Sequence, residues 1–560
     1  MEAHLGDIEL TLTPQEGGGA IWRFALEAQR LPSFARSIRE EGGQLLALWG
    51  SDDRFVGGSR ASDSRSSPLP PSPLAPLPEG EGNVERLAPD VKLEGLGVRD
   101  RGFAVHVAFL SSVGLIWTTS DLDPERPAYP DLACIFPQAD RMQRATFDLL
   151  GIRADGAVDE RKWLRHGAWP ADAFPLRKDF DASRPASHDT DAYPFIRVEG
   201  DGVHEIPVGP IHAGTIEPGH FRFSIIGDRI LKLEARLGYT HKGTEKRFEG
   251  LDLDTGARLA GRVSGDSHSA YAWAYCLAVE TATASAIPAR AVWLRALFLE
   301  MERVANHLGD LGYLGNDVAL AFGFMQFWRL KEDWLRLTAR LFGHRYLFDR
   351  IVPGGVALDL ADAGKVELAA LADRIETEVG ELKAVYDEHA GLQDRFANTG
   401  IVKPDLAARM GLTGLAGRAS AQAWDARAQF PQAPYDELDV NMATARKGDV
   451  LARAEVRFAE VKESLRLIRE ILRRLPAGEI RAPLAPVSRV CEGLGWVEGW
   501  RGDILVALRI GADGRLDRVH AHDPSWQNWP LVELGVLGNI VPDFPLINKS
   551  FNLSYSGQDL

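Results

Sequence analysis

Apolar residues recur along this chain at two different periods, and the period changes with position. Between residues 103 and 119 the runs FAVHVAF and VGLIWTT are rich in β-branched and aromatic residues and are separated by LSS, which predicts a β-hairpin. Ahead of them, residues 1–50 read as a small α/β start with one short amphipathic helix in LPSFARSIREEGGQLLALWG. After them, DLACIFP predicts another strand, and a polar helix follows from about Asp140. HFRFSIIGDRILKLEARLGYT also reads as strand, and from Asp266 onward the period turns helical. Leu297, Met301, Val304, Leu308 and Leu311 recur at alternating steps of four and three. Leu451, Ala454, Phe458, Val461, Leu465, Ile468, Leu472 and Leu475 keep the same alternation, predicting a long core helix stopped by Pro476 and Gly478. A further helix is expected over residues 365–389, a loop-rich stretch over 411–437, and two strands, DILVALRI and RLDRVHAHD, joined by the turn GADG. The expected class is α+β: a small α/β domain over residues 1–185, then a helical bundle over 186–560 whose small β region is assembled from both ends.

Residues 59–82 interrupt this pattern. They are rich in Ser, Pro and Gly with few large apolar side chains, so they are expected to form a disordered insertion. The remaining composition is ordinary for a globular chain of 560 residues, 45% hydrophobic and 26% charged. A formal net charge of -15 argues against a nucleic-acid partner, which would call for a basic surface. Cys134, Cys276 and Cys491 lie far apart with no CxxC pair, so neither a disulfide framework nor a cysteine-bound zinc or iron–sulfur site is expected. The N-terminus carries no signal-peptide pattern, and no window is apolar for the roughly 18 residues that a spanning helix needs. The chain is therefore expected on the cytoplasmic side, held at a membrane only through other subunits. No GxGxxG sequence opens a helix, which argues against direct NADH binding.

Several stretches carry a resemblance. Residues 145–180, with DLLGIRAD and PLRKDF, resemble the signature of the smaller hydrophilic subunit of respiratory complex I. VGPIHAGTIEPGHFRF and GYTHKGTEKRFEG resemble the opening of the hydrogenase-like large subunit, in the EPGHFR form of formate-hydrogenlyase-type membrane hydrogenases. FLEMERVANHLGDLG, GDVLARAEVRFAEVKESLRLI and VEGWRGD resemble later segments of the same family, in the same order. The resemblance implies a fused complex I-like subunit, a small α/β domain ahead of a hydrogenase-large-subunit fold. It further implies an iron–sulfur small subunit and membrane-arm subunits as partners, with the chain peripheral on the cytoplasmic side of the inner membrane.

In the nickel–iron members of this family, two CxxC pairs supply four thiolates, the soft donors that a nickel–iron centre requires. Here the first pair reads RVSGDS, with Arg262 retained and Ser264 and Ser267 in place of the cysteines. The second pair falls at Ser554 and Gly557. Hydroxyls do not replace bridging thiolates, so no nickel–iron centre and no hydrogen activation are expected, and no cofactor is expected to be tightly bound in this chain.

The complex I members bind quinone in the same region, and the resemblance makes quinone a candidate ligand here. His212 matches the first histidine of the family's hairpin loop, but the second histidine position falls at Ile216 and the tyrosine position at Gly265. His220 or Tyr271 are the available substitutes, since either can donate to a carbonyl oxygen. Glu245 matches a glutamate that moves protons in the hydrogenases. It is expected to carry a proton if burial raises its pKa, or else to form a salt bridge with Lys246 or Arg262. Asp266, between the two serines, is read either as a proton carrier or as the cap of the following helix. Glu302, Arg303 and His307 share a helix and are expected to pair within the bundle. The candidate catalytic set is thus His212, Glu245, Arg262 and Asp266. Two functions remain open: an electron-transferring subunit that helps reduce quinone or another acceptor while membrane subunits pump ions, and a non-catalytic platform joining the iron–sulfur subunit to the membrane arm.

Overall fold

The structure is a computed structural model that describes residues 2–5, 8–11, 21–54, 102–167, 169–170, 172–183, 192–212 and 216–560. The expected insertion at 59–82 lies outside the described residues.

A four-stranded sheet forms the first layer, in the spatial order Ile21–Ala25, Gly114–Leu122, Phe103–Ser111, Gln44–Asp52. Its centre is the predicted hairpin, with Phe103 opposite Leu122 and Ser111 opposite Gly114. The expected amphipathic helix is Leu31–Glu40, which buries Leu31, Phe34, Ala35 and Ile38. The polar helix is Ala139–Leu150, stopped by Gly151 at φ 71°, and it packs on the strand Gln44–Asp52. DLACIFP is not a strand. Asp131 folds it into a turn by accepting the backbone N–H of Ala133 at 2.9 Å and of Cys134 at 3.2 Å, an Asx turn that competes successfully with strand pairing.

The helical bundle is built from Ala289–Asp317, Ala321–Phe342, Asp362–Glu388 and Val450–Arg474, matching the helical periodicity. Asp449 caps the last of these through the Ala452 N–H at 2.8 Å. The β region expected as one unit is two separate three-stranded sheets. One runs Val203–Val208, His220–Ile226, Arg229–Arg236; the other runs Cys491–Glu498, Asp503–Ile510, Leu516–His522. An isolated bridge between Arg229 and Ile540 ties the first sheet to the C-terminal segment.

The helix His268–Thr283 lies against the second sheet at very close range. A Cβ at Gly493 would stand 2.0 Å from the Ala278 carbonyl oxygen, and one at Gly495 would stand 1.9 Å from that of Ala274. Only glycine permits this approach. It brings the N-terminal end of the helix beside the turn at residues 499–502, and the helices Phe544–Phe551 and Tyr555–Asp559 close over that junction. No described helix is long and apolar enough to cross a membrane.

Candidate functional site

The four positions that the resemblance aligns with metal-binding cysteines, Ser264, Ser267, Ser554 and Gly557, come together. Ser264 precedes and Ser267 ends a short 3-10 turn ahead of His268–Thr283, and Ser554 caps the helix Tyr555–Asp559 by accepting the Gly557 N–H at 2.8 Å. The Ser264 and Ser554 hydroxyls are 2.8 Å apart. The space in front of Gly557 belongs to Asp523, whose Oδ2 would lie 2.4 Å from a Cβ built there. That carboxylate accepts a hydrogen bond from the buried Tyr271 hydroxyl at 2.8 Å and from the Ser525 N–H at 2.8 Å.

Asp266 and Arg501 form the charged part of this cluster. Arg501 donates to Asp266 Oδ1 at 2.8 Å and Oδ2 at 2.5 Å, and to the Ser267 hydroxyl at 3.0 Å. Its guanidinium lies 3.9 Å over the Trp500 ring. Trp500 and Asn306 both donate to the Asp266 carbonyl. Burial works to raise the Asp266 pKa, but Arg501 and the Ser264 hydroxyl outweigh it and hold the carboxyl below its ordinary value. Asp266 does not cap the following helix. Glu302 does, accepting the N–H groups of Ser269 at 2.6 Å and Ala270 at 3.3 Å, and its burial pushes its pKa up to about 8.

These side chains do not fit a nickel–iron centre. Two hydroxyls already satisfy each other, the fourth position has no donor atom, and a carboxylate fills the space that the fourth ligand would need. Among the described residues no cluster of three or more His, Cys, Asp or Glu is arranged to hold a metal ion.

Several expected site residues are placed elsewhere. Arg262 pairs neither with Asp266 nor with Glu245. It forms a two-pronged ion pair with Asp349 at 2.6 and 2.8 Å, near the surface, with its side chain 43% exposed. Glu245 is buried, as proton carriage required, but its partners are His520 at 2.6 Å and Arg518 at 3.3 Å rather than Lys246 or Arg262. Burial would raise the Glu245 pKa; Arg518 and His520 overcome it and bring it down to about 2. His212 reaches the C-terminal helix, with its ring 6.5 Å from that of Tyr555 and its pKa lowered by burial. His220 faces Phe195, takes a bond from Arg222 at 3.3 Å and has its pKa lowered by burial. Arg303 donates to the Gly499 and Glu498 carbonyls and pairs with Glu300 of its own helix and with Glu460, and His307 pairs with Glu460 at 2.8 Å, so both are satisfied within the bundle and the adjoining turn.

Residues that the sequence did not single out complete the arrangement. Glu217 accepts the Ser556 N–H at 3.1 Å, joining the hairpin loop to the C-terminal helix. Asp559 accepts from Gly238 and Thr240, and burial pushes its pKa up to about 6. Arg501 lay within VEGWRGD, but nothing local marked it as the partner of Asp266.

Residues 317–492 match the family described as respiratory-chain NADH dehydrogenase, 49 Kd subunit, and residues 89–186 match its 30 Kd subunit. Formate hydrogenlyase subunit 5 of Escherichia coli (strain K12) is 33% identical over 444 residues, covering 78% of each chain. An NADH-quinone oxidoreductase subunit of Bacteroides thetaiotaomicron is 28% identical over 458 residues, covering 78% of this chain and 85% of its own. Among solved structures, a chain of the membrane-bound sulfane sulfur reductase, an archaeal respiratory membrane complex, superposes with a TM-score of 0.60 at 26% identity. That match covers 64% of this chain and 99% of the other.

Proposed function

This chain belongs to the family that unites the 49-kDa and 30-kDa subunits of respiratory NADH dehydrogenase with the large subunits of formate-hydrogenlyase-type complexes, and on that premise we propose that it is the hydrophilic large subunit of a membrane-associated oxidoreductase without hydrogenase activity. In this reading an iron–sulfur partner delivers electrons at the pocket around Asp266, Tyr271 and Ser264. An organic or sulfur acceptor takes them, and membrane subunits couple the free energy to ion translocation. The chain sits peripherally on the cytoplasmic side. Quinone is the acceptor class that the complex I relatives favour; one solved relative is a sulfane sulfur reductase, which makes polysulfide the second acceptor to assay.

The observation that carries this reading is the replacement of the four metal-ligand positions by a hydrogen-bonded polar cluster instead of an apolar plug. Tyr271–Asp523 and Ser264–Ser554 are buried, whereas in the Arg501–Asp266 pair the arginine is buried and the Asp266 side chain keeps 40% exposure. A group that both donates and accepts at the edge of such a cluster can orient a carbonyl or a sulfur chain and supply a proton. The directness of the Ser264–Ser554 contact also supports the second reading, a platform without turnover, because it leaves no gap between those two residues.

The test is to isolate the complex from membranes and follow reduction of a short-chain quinone and of polysulfide, comparing wild type with Asp266→Asn and Tyr271→Phe. Loss of turnover by at least tenfold in complexes that retain all subunits supports the catalytic pocket. Unchanged turnover in both variants overturns it and leaves the platform.

A further inference from the structure

A mostly apolar cavity lies apart from the serine cluster, between the helix Ala139–Leu150, the strand Gln44–Asp52 and the strand Leu516–His522. One wall is aliphatic, formed by Leu149, Leu150 and Leu164; the other carries Glu245, Arg518, His520 and Trp526. His520 Nδ1 is 2.6 Å from Glu245 Oε1. Since an ionised carboxylate only accepts, Nδ1 carries the proton and Nε2 keeps its lone pair. The Trp49 ring stacks on the imidazole at 4.7 Å and 7°, which fixes its plane.

His520 Nε2, Trp526 Nε1 and Arg518 Nε are all buried, and none meets a protein hydrogen-bond partner among the described residues. Two N–H donors and one acceptor without a partner thus belong to residues that line a single cavity. Leaving three buried polar groups unsatisfied is unfavourable, because each loses its bonds to water without gaining a replacement. Water, which donates and accepts, matches the set, and the space accommodates about two molecules.

We propose that Glu245 and His520 form a proton-accepting dyad, separate from the serine pocket, whose acceptor atom is His520 Nε2 and whose ligand is a small cluster of ordered water held by His520, Trp526 and Arg518. Glu245 is the positioning residue: it fixes the tautomer and offsets the charge of the imidazolium. Uptake forms one N–H bond at Nε2 and breaks one O–H bond of a hydronium supplied from bulk water through the cavity; no electrons move. The charged and titratable groups around His520 are Glu245 from the helix Thr244–Phe248, and Arg518 and His522 from its own strand. Arg518 and burial oppose protonation, and Glu245 favours it. The dyad adjoins the pocket through Leu560, which lines the cavity and whose carbonyl accepts the Lys242 and Thr244 N–H groups. Its purpose, compensating charge when an electron arrives, rests on the function proposed above; its chemistry does not.

The experiment uses the full chain with 15N-labelled histidine rings, the His520 signals being identified by their loss in His520→Gln. In wild type the proton is expected on Nδ1, and Glu245→Gln should lower the His520 pKa further, because the carboxylate that favours the imidazolium is gone. Trp526→Phe, which keeps an aromatic ring but removes the N–H, should shift the Nε2 resonance. A crystal structure should show ordered water within hydrogen-bond distance of Nε2. A proton on Nε2, or an Nε2 signal indifferent to Trp526→Phe together with no water density, overturns the proposal. If Glu245→Gln does not fold, the wild-type tautomer, the Trp526→Phe shift and the water density decide it alone. A complex that reduces no acceptor overturns the proposed function and leaves all of these readings in force.

Discussion

Ser264 and Ser554, 290 residues apart in the chain, meet hydroxyl to hydroxyl at 2.8 Å. Each serine also has a neighbour of its own: Ser264 donates to Asp266 at 2.9 Å, and Ser554 accepts from the Gly557 N–H. The contact is thus one link in a buried network, and its worth can be measured. Ser264→Ala and Ser554→Ala should each destabilise by about 1–2 kcal/mol, because each strands a buried polar partner. The double variant should cost less than the sum by about 0.5–1.5 kcal/mol. Chemical denaturation of the four proteins measures the coupling, and strict additivity would show that the hydroxyls do not interact.

Restoring a thiol at the fourth position should fail. In Gly557→Cys the new Cβ meets Asp523 Oδ2 at 2.4 Å, and Asp523 is held in place by Tyr271 and Ser525. Overpacking of this kind costs about 1–3 kcal/mol. The expected result is a lower melting temperature and no nickel by elemental analysis, even when Ser264, Ser267 and Ser554 are also changed to Cys. Stoichiometric nickel in that quadruple variant would contradict the assignment of the Asp523 position.

Arg262 and Arg501 should behave oppositely. Arg262 is a half-exposed partner of Asp349, so Arg262→Ala should cost less than about 1 kcal/mol. Arg501 is buried, and its removal leaves Asp266 without a cation. Arg501→Ala should cost about 2–3 kcal/mol, toward the low end for such pairs because Asp266 keeps contact with solvent. Thermal melts of the two variants beside wild type decide it, and equal losses would refute the placement of either arginine.

Acid should expose the Glu245 pairing. The folded pKa of Glu245 is brought down to about 2, from 4.5 for the free group, by Arg518 and His520 acting against burial. A lowered folded pKa contributes stability that is fully present above 4.5 and is lost as the pH falls from there toward 2. The contribution near neutrality is on the order of 3 kcal/mol. The melting-temperature gap between wild type and Glu245→Gln should therefore be wide and flat from about pH 6 to 7.5 and should narrow steadily below about pH 4.5. A gap that widens in acid would mean that burial, not pairing, governs this carboxyl.

Much of the architecture was legible without coordinates because it depends on interactions a few residues long. The alternation of threes and fours from Leu451 to Leu475 predicts the helix Val450–Arg474, and the β-rich runs around LSS predict their hairpin. DLACIFP misled because an aspartate side chain captured two backbone N–H groups that a strand would have spent on a neighbour.

The pairing of charges was decided only by the tertiary structure. Glu245 has lysine beside it in sequence, yet it meets Arg518 and His520 from a strand more than 270 residues away. Asp266 meets Arg501 for the same reason: glycines at 493 and 495 let a helix lie against a sheet closely enough to bring its N-terminal end to the 499–502 turn. A residue's type states what it can bond, whereas a buried charge is satisfied by whichever opposite group the packing delivers. The sequence alone therefore determined the elements and the chemistry each side chain can offer, and the packing of those elements determined which charges pair, which histidine lines a cavity and which arginine remains at the surface.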